Sequence, residues 1–525
     1  LIMTHIGTVF ITIAFLIFYK QSGSFDFSAF GTAGAVMAPE LRNLIFVLVL
    51  IGFGTKAGLV PLHIWLPRAH PVAPSHVSAL MSGVMIKTAV YGFLRVVLDL
   101  MGGSGLSGSS GLSGSSYFPI GWGVSLIVLG AVSSVFGVLF AGTEQDIKRL
   151  LAFSSVENMG IIFIGLGTAF VFMAQGHGEY VAVALLAALY HLLNHSLFKP
   201  LLFMGGGAVI FSTHTRSMEK LGGLMRYMPV TAITFLMGAL AVSALPPFNG
   251  FIGEWLTLQA LLLLAVKVPH SGIPILGALG GAAIAVTGAL AAGVFVKAFG
   301  ITFLGMPRTE RPTQAREVPR PMAAAMLLLA FMCLVLGLLP GLVMPVLGNV
   351  VTQLTGAGQV MVNGTGLGIT NMLSLIPLQT GVAHLAPGVT AAIILLLVGG
   401  GWLALRLAGG RREQKTGETW NCGTPLEPQM EYSAAAFGEP VRIIFRTLLP
   451  AEGKVHKVFK TWPYFGTRIN YQLKMRPLIE SRLYQPLASY SLLLARQIRR
   501  IQTGKIQSYL AYIFVTLVLL LIFFH

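Results

Sequence analysis

Residues 43–66 read NLIFVLVLIGFGTKAGLVPLHIWL, an apolar run broken by Gly52, Gly54, Gly58 and Pro61 that carries one charge, Lys56. A second run of the same kind, AVSALPPFNGFIGEWLTLQALL at 241–262, is broken by Pro246, Pro247 and Gly250 and carries only Glu254. A charge at the centre of a membrane-spanning helix costs roughly 2.5–3.5 kcal/mol on insertion scales. Interrupted helices at corresponding places in two halves of a chain point to the ion site of a transporter. The pair implies a membrane protein that carries ions or protons.

Composition agrees. Of 525 residues, 55% are apolar and 10% are charged, and the mean hydropathy is +0.78. A soluble domain has about 25% charged residues. The expected fold class is an all-α polytopic membrane protein with an inverted-repeat transporter core. Apolar windows of roughly 17 residues or more predict eleven crossings at 1–19, 43–66, 77–100, 120–141, 150–172, 181–210, 228–266, 274–304, 322–350, 385–406 and 508–524. The broken runs make 43–66 and 228–266 discontinuous. Cys333 and Cys422 are the two cysteines, too few for a disulfide framework or a cysteine-rich metal site. The chain opens at Leu1 in a hydrophobic helix, with no Met and no signal-peptide n-region. The expectation is a fragment whose N-terminal helices are missing.

Charge counting decides whether 228–266 crosses once or twice. With one broken crossing, one side carries Arg68, Lys148, Arg149, Arg216, Lys220, Arg226, Arg308, Arg311, Arg316 and Arg320. The other side carries only Lys20, Arg42 and Lys267. Cytoplasmic loops are the basic ones, so one crossing is the reading. The net charge of +17 then reflects orientation, since 17 of the 35 Lys and Arg residues lie in 406–507, on the cytoplasmic side. Such charge suits anionic lipid headgroups and partner subunits rather than nucleic acid.

These counts set the expected organisation. Residues 1–100 are the C-terminal part of a first transporter repeat, and 119–305 form a second. Between them, 101–118 is a Gly/Ser-rich periplasmic loop with no chemistry to offer. Further transmembrane helices occupy 306–406, a basic cytoplasmic or interfacial segment 407–507, and a terminal helix 508–525. Within the basic segment, PVRIIFRTLL and YSLLLARQIRRIQ are amphipathic and suit interfacial helices or an irregular tail.

The ionisable residues inside the spans are the candidate site. Lys56 lies where a half-helix ends, and helix C-termini favour cations. Asp26 and Glu40 sit in the loop between the first two spans, so its carboxylate partner must come from elsewhere. The bland alternative is a lysine paired only for assembly. Lys87, in SALMSGVMIKTAVYGF, has no proline or charge beside it to explain it. His191, His195 and Lys199, in LYHLLNHSLFKPLLF, recur at i, i+4 and i+8 and share one helix face. His-x₃-His can hold a metal, but a cation one turn on disfavours that, and a row of titratable groups across a bilayer suits a proton path. A satisfied core histidine pair is the bland alternative. Glu254 is expected in the first turn after its break, where the helix dipole stabilises a carboxylate that burial destabilises. Lys297 follows in the next span, echoing the order Lys56 then Lys87. Arg95 is near a helix end and can snorkel, and Glu157 is expected near the cytoplasmic face. Both are set aside.

In this order, KAGLVPLHIWLPRAHPVAPSHVSALMSGVMIKTAVYG, QDIKRLLAFSSVENMG, YHLLNHSLFKPLLF and ALPPFNGFIGEW resemble the antiporter-like proton-channel subunits of complex I, multisubunit cation/proton antiporters and membrane-bound hydrogenases. The resemblance covers residues 1–405 and the last helix. SSVENMG, TWNCGTPLEPQMEYSAAAFGEPVRIIF and IQTGKIQSYLAYIFVTLVLLLIFF look like the hydrogenase-4 component B and formate hydrogenlyase branch. The resemblance implies that Lys56 drives a half-channel with a glutamate from an earlier helix, which this chain lacks. It also implies that Lys87, the His191–His195–Lys199 helix and Glu254 continue the path.

The implied function is a proton-translocating membrane subunit of a respiratory redox complex. Its partners would be other membrane subunits, peripheral redox subunits, the lipid bilayer and protons or Na⁺, with no nucleic acid. No cofactor or metal motif is present in the chain, so Fe–S, Ni–Fe or flavin groups belong to partner subunits, and any redox chemistry is theirs. The expected location is the inner membrane. The alternative is a subunit of an Na⁺/H⁺ antiporter with no redox partner. A membrane anchor that transports nothing ranks last, because so many buried ionisable groups are expensive to maintain.

Overall fold

The computed structural model describes residues 2–102, 118–269, 272–355, 386–408, 421–458, 468–475, 478–499, 502 and 504–523. Nearly all of the expected Gly/Ser loop lies outside these residues. Among the described residues, eleven helical spans are long and apolar enough to cross a membrane. They are Ile2–Ser22, Pro39–Val72, Ser75–Leu100, Ile120–Thr143, Ile147–Ala174, Gly178–Thr213, Asn249–Lys267, Ile273–Phe303, Arg320–Leu338, Pro387–Ala408 and Ile506–Phe523. This is a multi-pass helical membrane protein, as the hydropathy implied.

The helices that position the site are α1 (Ile2–Ser22), α2 (Phe27–Val36), α3 (Pro39–Ala57), α4 (Leu66–Val72), α5 (Ser75–Leu80) and α6 (Ile86–Leu94). They are followed by α7 (Ile120–Thr143), α8 (Ile147–Ala174), α9 (Gly178–Thr213), α10 (Pro229–Val242), α11 (Asn249–Lys267) and α12 (Ile273–Phe303). A short α13 (Glu310–Thr313), then α14 (Arg320–Leu338) and α15 (Met344–Thr355), complete the set. The single helix expected over 322–350 is two, because Leu339-Pro340 opens a 3-10 turn between α14 and α15.

The charge alternation is visible as geometry. At one end, Arg216 bonds the Pro71 carbonyl at 2.9 Å and pairs with Asp146 at 2.7 Å. There Lys148 reaches Ala73 O at 2.7 Å, and Arg311 reaches His214 O at 2.9 Å. The basic loops therefore converge. At the opposite end, Arg42 donates to Met101 O at 2.9 Å, and the Trp122 indole donates to Asn43 at 2.8 Å.

The core is built around α8, whose span is entirely buried. Its partner α7 carries Gly123, Gly130 and Gly137 at seven-residue spacing, a stripe that lets two backbones touch. A Cβ on Gly130 would lie 2.6 Å from Gly160 O, and one on Gly137 would lie 2.5 Å from Glu157 N. Van der Waals contact between backbones replaces side-chain packing along this seam.

Both breaks appear where the sequence placed them. The first ends α3 at Gly58, whose φ of 83° is left-handed and so favours glycine. The helix-end groups are then satisfied by specific partners. Val60 N donates to Ser133 Oγ at 3.0 Å, and the Trp65 indole donates to Thr55 O at 2.7 Å. The second break separates α10 from α11 through Ser243–Phe248. With 14 residues, α10 is about 21 Å long, short of the ~30 Å hydrocarbon core. It fits half of one broken crossing.

The chain divides into two compact units, Leu1–Val441 and Arg442–His525. Helices at Ala434–Ile444 and Gln485–Arg499 take in the first half of PVRIIFRTLL and most of YSLLLARQIRRIQ. An antiparallel hairpin that the sequence reading did not include joins Ala451–Val458 to Arg468–Met475, with Ala451 opposite Met475.

Candidate functional site: a buried row of ionisable side chains

The span 75–100 is not a uniform helix. Residues Met81–Met85 and Arg95–Leu100 are wound as π-helix, a form that concentrates at functional positions. Lys87 begins the turn after the first of these, is buried, and reaches inward. Its ammonium meets the Ser82 carbonyl and Nδ1 of His195 on α9. Ser82 Oγ in turn lies 2.9 Å from Ser155 Oγ on α8. Thus Lys87 joins the α9 row, which its sequence position alone did not show.

On α9, His191, His195 and Lys199 are all buried, as the i, i+4, i+8 spacing required. His191 Nε2 sits 3.2 Å from Asn158 Oδ1. Lys199 stands over the Phe295 ring of α12, 5.5 Å from its centroid, a cation–π placement. Lys199 Nζ, His191 Nδ1 and His195 Nε2 have no hydrogen-bond partner among the described residues. Buried polar atoms are normally satisfied by protein or water, and three of the α9 row fall in one stretch of the helix. No group of three or more metal-ligating side chains is assembled among the described residues.

Glu254 is buried on α11. It lies in the second helical turn, not the first, because α11 already begins at Asn249. The dipole effect fades within the first turn, so neighbours rather than the helix end set its environment. Those neighbours are close. A Cβ on the preceding Gly253 would fall 2.6 Å from His191 Nδ1, and one on Gly288 of α12 would fall 3.3 Å from Glu254 Oε2. Asn194 donates to Asn249 O at 2.7 Å, tying α9 to the start of α11. Gly250 is required there, since its Cβ would stand 1.8 Å from Ala241 O.

Lys56 and Lys297 stand apart from this row. Lys56 is exposed on the surface of the chain, not buried as its span position suggested. It follows the close approach of α3 to α1, where a Cβ on Gly52 would meet Ile11 and Gly7, but its own side chain is exposed. Lys297 is buried and donates to Gly142 O at 2.7 Å and Glu144 O at 2.8 Å. A lysine in that position satisfies the last carbonyls of α7. It also lines a cavity of about 90 Å³ with Val138, Leu290, Val294, Phe437 and Val441.

The Glu144 carboxyl lies in the loop beside Lys297. Burial raises its pKa above the ordinary 4.5, partly opposed by Arg149, which pairs with it at 2.9 Å.

The sequence reading overlooked His63 and His70, in PLHIWLPRAHP just after the first break. Both are buried, and His70 stacks on Phe203 at 4.6 Å. Histidines seven residues apart beside a broken helix were the available signal. Glu157, set aside as a near-surface residue, is fully buried in α8. Arg95 pairs with Asp99 at 2.7 Å on an exposed face, as snorkelling implied.

The comparison that decides the family covers residues 1–269, matched by the profile described as NADH:quinone oxidoreductase/Mrp antiporter, TM. The chain belongs to this family. It is 40% identical over 530 residues to hydrogenase-4 component B of Escherichia coli (strain K12), covering 99% of this chain and 74% of that protein. Formate hydrogenlyase subunit 3 of the same organism is 35% identical over 452 residues, 85% of this chain and 67% of its own length. Among solved structures, the membrane-bound sulfane sulfur reductase, an archaeal respiratory membrane complex, has a chain 26% identical with a TM-score of 0.73. That match covers 99% of this chain and 75% of the other.

Proposed function

We propose that this chain is a proton-translocating membrane subunit of a respiratory redox complex of the hydrogenase-4 or formate hydrogenlyase type. Protons pass along Lys87, His195, Lys199 and His191 to Glu254. Lys56 serves the surface-exposed first half-channel, and Lys297 is the station nearest the cytoplasmic loops. The supporting observation is the contact between Lys87 and His195, which makes one row of groups on separate helices.

Each group has a part that its surroundings suit. Lys87 and Lys199 alternate between ammonium and amine, and the histidines bridge them with two ring nitrogens each. Glu254 receives the proton at the far end of the row. Lys297 is held by two carbonyls close to the Glu144–Arg149 pair, which opens toward water. Lys56, with no carboxylate paired to it among the described residues, takes its partner from a neighbouring segment or subunit. Partner subunits hold the redox groups, Fe–S, Ni–Fe or flavin. Residues 407–507 face the cytoplasm and contact those partners and anionic lipid.

A subunit of a stand-alone Na⁺/H⁺ antiporter would use the same side chains. The redox reading is preferred because the hydrogenase-4 and formate hydrogenlyase proteins are similar to this chain over 99% and 85% of its length. The test is Lys87→Met and Glu254→Gln in the assembled complex in inverted vesicles, with redox turnover and dye-reported proton uptake measured together. Both variants should keep assembly and lose proton uptake at least tenfold. Unaltered uptake in both would remove the assignment.

A further inference from the structure

Glu157 is a buried carboxylate for which the relay above has no use. It lies eleven residues into α8, about 15 Å from the helix start at 1.5 Å per residue, and is 1% exposed. Its hydrogen-bond donor is the Ser154 hydroxyl at 2.8 Å. No lysine or arginine forms an ion pair with it among the described residues. A carboxylate buried without a paired cation is costly, and a glutamine would fill the same space without that cost. A structural role alone gives no reason for the acid.

Its neighbours supply one. Ser155, two residues before Glu157, meets Ser82 Oγ at 2.9 Å, and the Ser82 carbonyl holds the Lys87 ammonium. The Lys199 charge acts on the Glu157 carboxylate, and that of Glu157 on Glu254. The adjacent Asn158 holds His191 at 3.2 Å, and Gly253, the residue before Glu254, abuts that same imidazole. The glycine seam fixes the backbone, because Gly137 leaves no room for Glu157 N to shift toward α7. Glu157 therefore lies on α8 between the residues that meet the Lys87 side and the His191 side of the row, Ser155 and Asn158, on the most buried helix of the bundle.

We propose that Glu157 is a proton station joining Lys199 to Glu254. In the first step the Lys199 ammonium gives its proton to the Glu157 carboxylate, leaving a neutral amine and a neutral acid. In the second the acid passes the proton to the Glu254 carboxylate, by way of His191 or a bridging water, and Glu157 is ionised again. Ser154 donates to the ionised form, so the returning charge meets a hydrogen bond already in place. No net charge is created in either step.

The proposal rests on the relay reading, and the test separates the two. Glu157→Gln, Glu157→Asp and Glu254→Gln are made in the complete complex in inverted vesicles, with redox turnover and proton uptake measured on each. Glu157→Gln should retain redox turnover and lose at least tenfold in protons moved per electron. Glu157→Asp, which keeps a shorter carboxyl, should recover part of that loss, as a purely structural residue would not predict. Normal coupling in Glu157→Gln beside loss in Glu254→Gln overturns this proposal and leaves the relay intact. Normal coupling in both overturns the relay itself. If Glu157→Gln fails to assemble, Glu157→Asp decides: reduced coupling supports the station, and wild-type coupling overturns it.

Discussion

Gly250→Ala tests whether the second break, rather than the mere presence of Glu254, makes the site. The added Cβ would lie 1.8 Å from Ala241 O and 3.0 Å from its carbonyl carbon. Ordinary carbon–oxygen contact begins near 3.3 Å, so one backbone must retreat by more than 1 Å. Neither can do so freely. Asn194 holds Asn249 O at 2.7 Å, and Gly337 of α14 presses on Pro247 O, where its own Cβ would fall 2.0 Å away. Overpacking of this kind costs about 1–3 kcal/mol, and backbone on both sides places Gly250→Ala at the upper end. The functional effect exceeds the stability effect, because about 1 Å of misplacement can cost on the order of 10²-fold in a positioned reaction. The assay pairs thermal unfolding of the purified complex with proton uptake per electron. Gly288→Ala is the control, since its Cβ would meet only the flexible Glu254 Oε2 at 3.3 Å. Gly250→Ala should lose coupling and melt lower, and Gly288→Ala should melt as wild type. A Gly250→Ala complex with unchanged melting and full coupling would refute the argument that the break positions Glu254.

Other expectations follow from single contacts. Ser133→Ala leaves Val60 N without its acceptor inside the protein, and should lower stability by about 1–3 kcal/mol in thermal or denaturant unfolding. Gly160→Val drives a side chain into Gly130 O, 2.5 Å from its Cβ position, and should reduce the yield of folded protein after membrane extraction, as seen by size-exclusion chromatography. Glu144 has its pKa raised by burial against the pull of Arg149. The folded state therefore binds more protons than the unfolded one, and stability falls as pH rises from the ordinary carboxylate range through the raised value. Glu144→Gln should melt higher than wild type at neutral pH, and the difference should vanish below about pH 4.5, where both states are protonated.

Much of this was legible because charges in lipid-facing sequence are scarce and periodic. The α9 row followed from i, i+4, i+8 spacing alone, and both breaks from glycine and proline within apolar runs. The loops converged as the positive-inside count required. What failed were judgements that need a third dimension. Lys56 looked buried because apolar residues flank it in sequence, but burial depends on which helix covers that stripe of α3. Glu157 looked superficial because Arg149 is near it in sequence, yet α8 runs inward from Asp146 and is surrounded on every side. Lys297 repeated the spacing of Lys87 but binds the end of α7 instead of another titratable side chain. Spacing along the chain fixes which face of a helix a residue occupies, and not what packs on that face.

The composition of the row also bears on how it could work. Lys87, Lys199, Glu157 and Glu254 are two bases and two acids, so with all four ionised the buried set is neutral. Removing one partner from a buried charged set costs several kcal/mol, because the charge left behind is uncompensated. Two unit charges about 8 Å apart at an effective permittivity near 20 couple by about 2 kcal/mol, enough to shift a proton population roughly thirtyfold. A proton gained or lost at one end of such a set therefore changes the preferred ionisation at the next position without any helix moving. Partner subunits then need to perturb only one member electrostatically for the disturbance to travel. Lys56 stands apart from this set and is exposed, so that a charge from a neighbouring segment or subunit can reach it. Reversing its sign with Lys56→Glu should therefore uncouple proton uptake from redox turnover more severely than Lys56→Met. Equal effects from the two would mean that Lys56 acts by its own titration and not by its field.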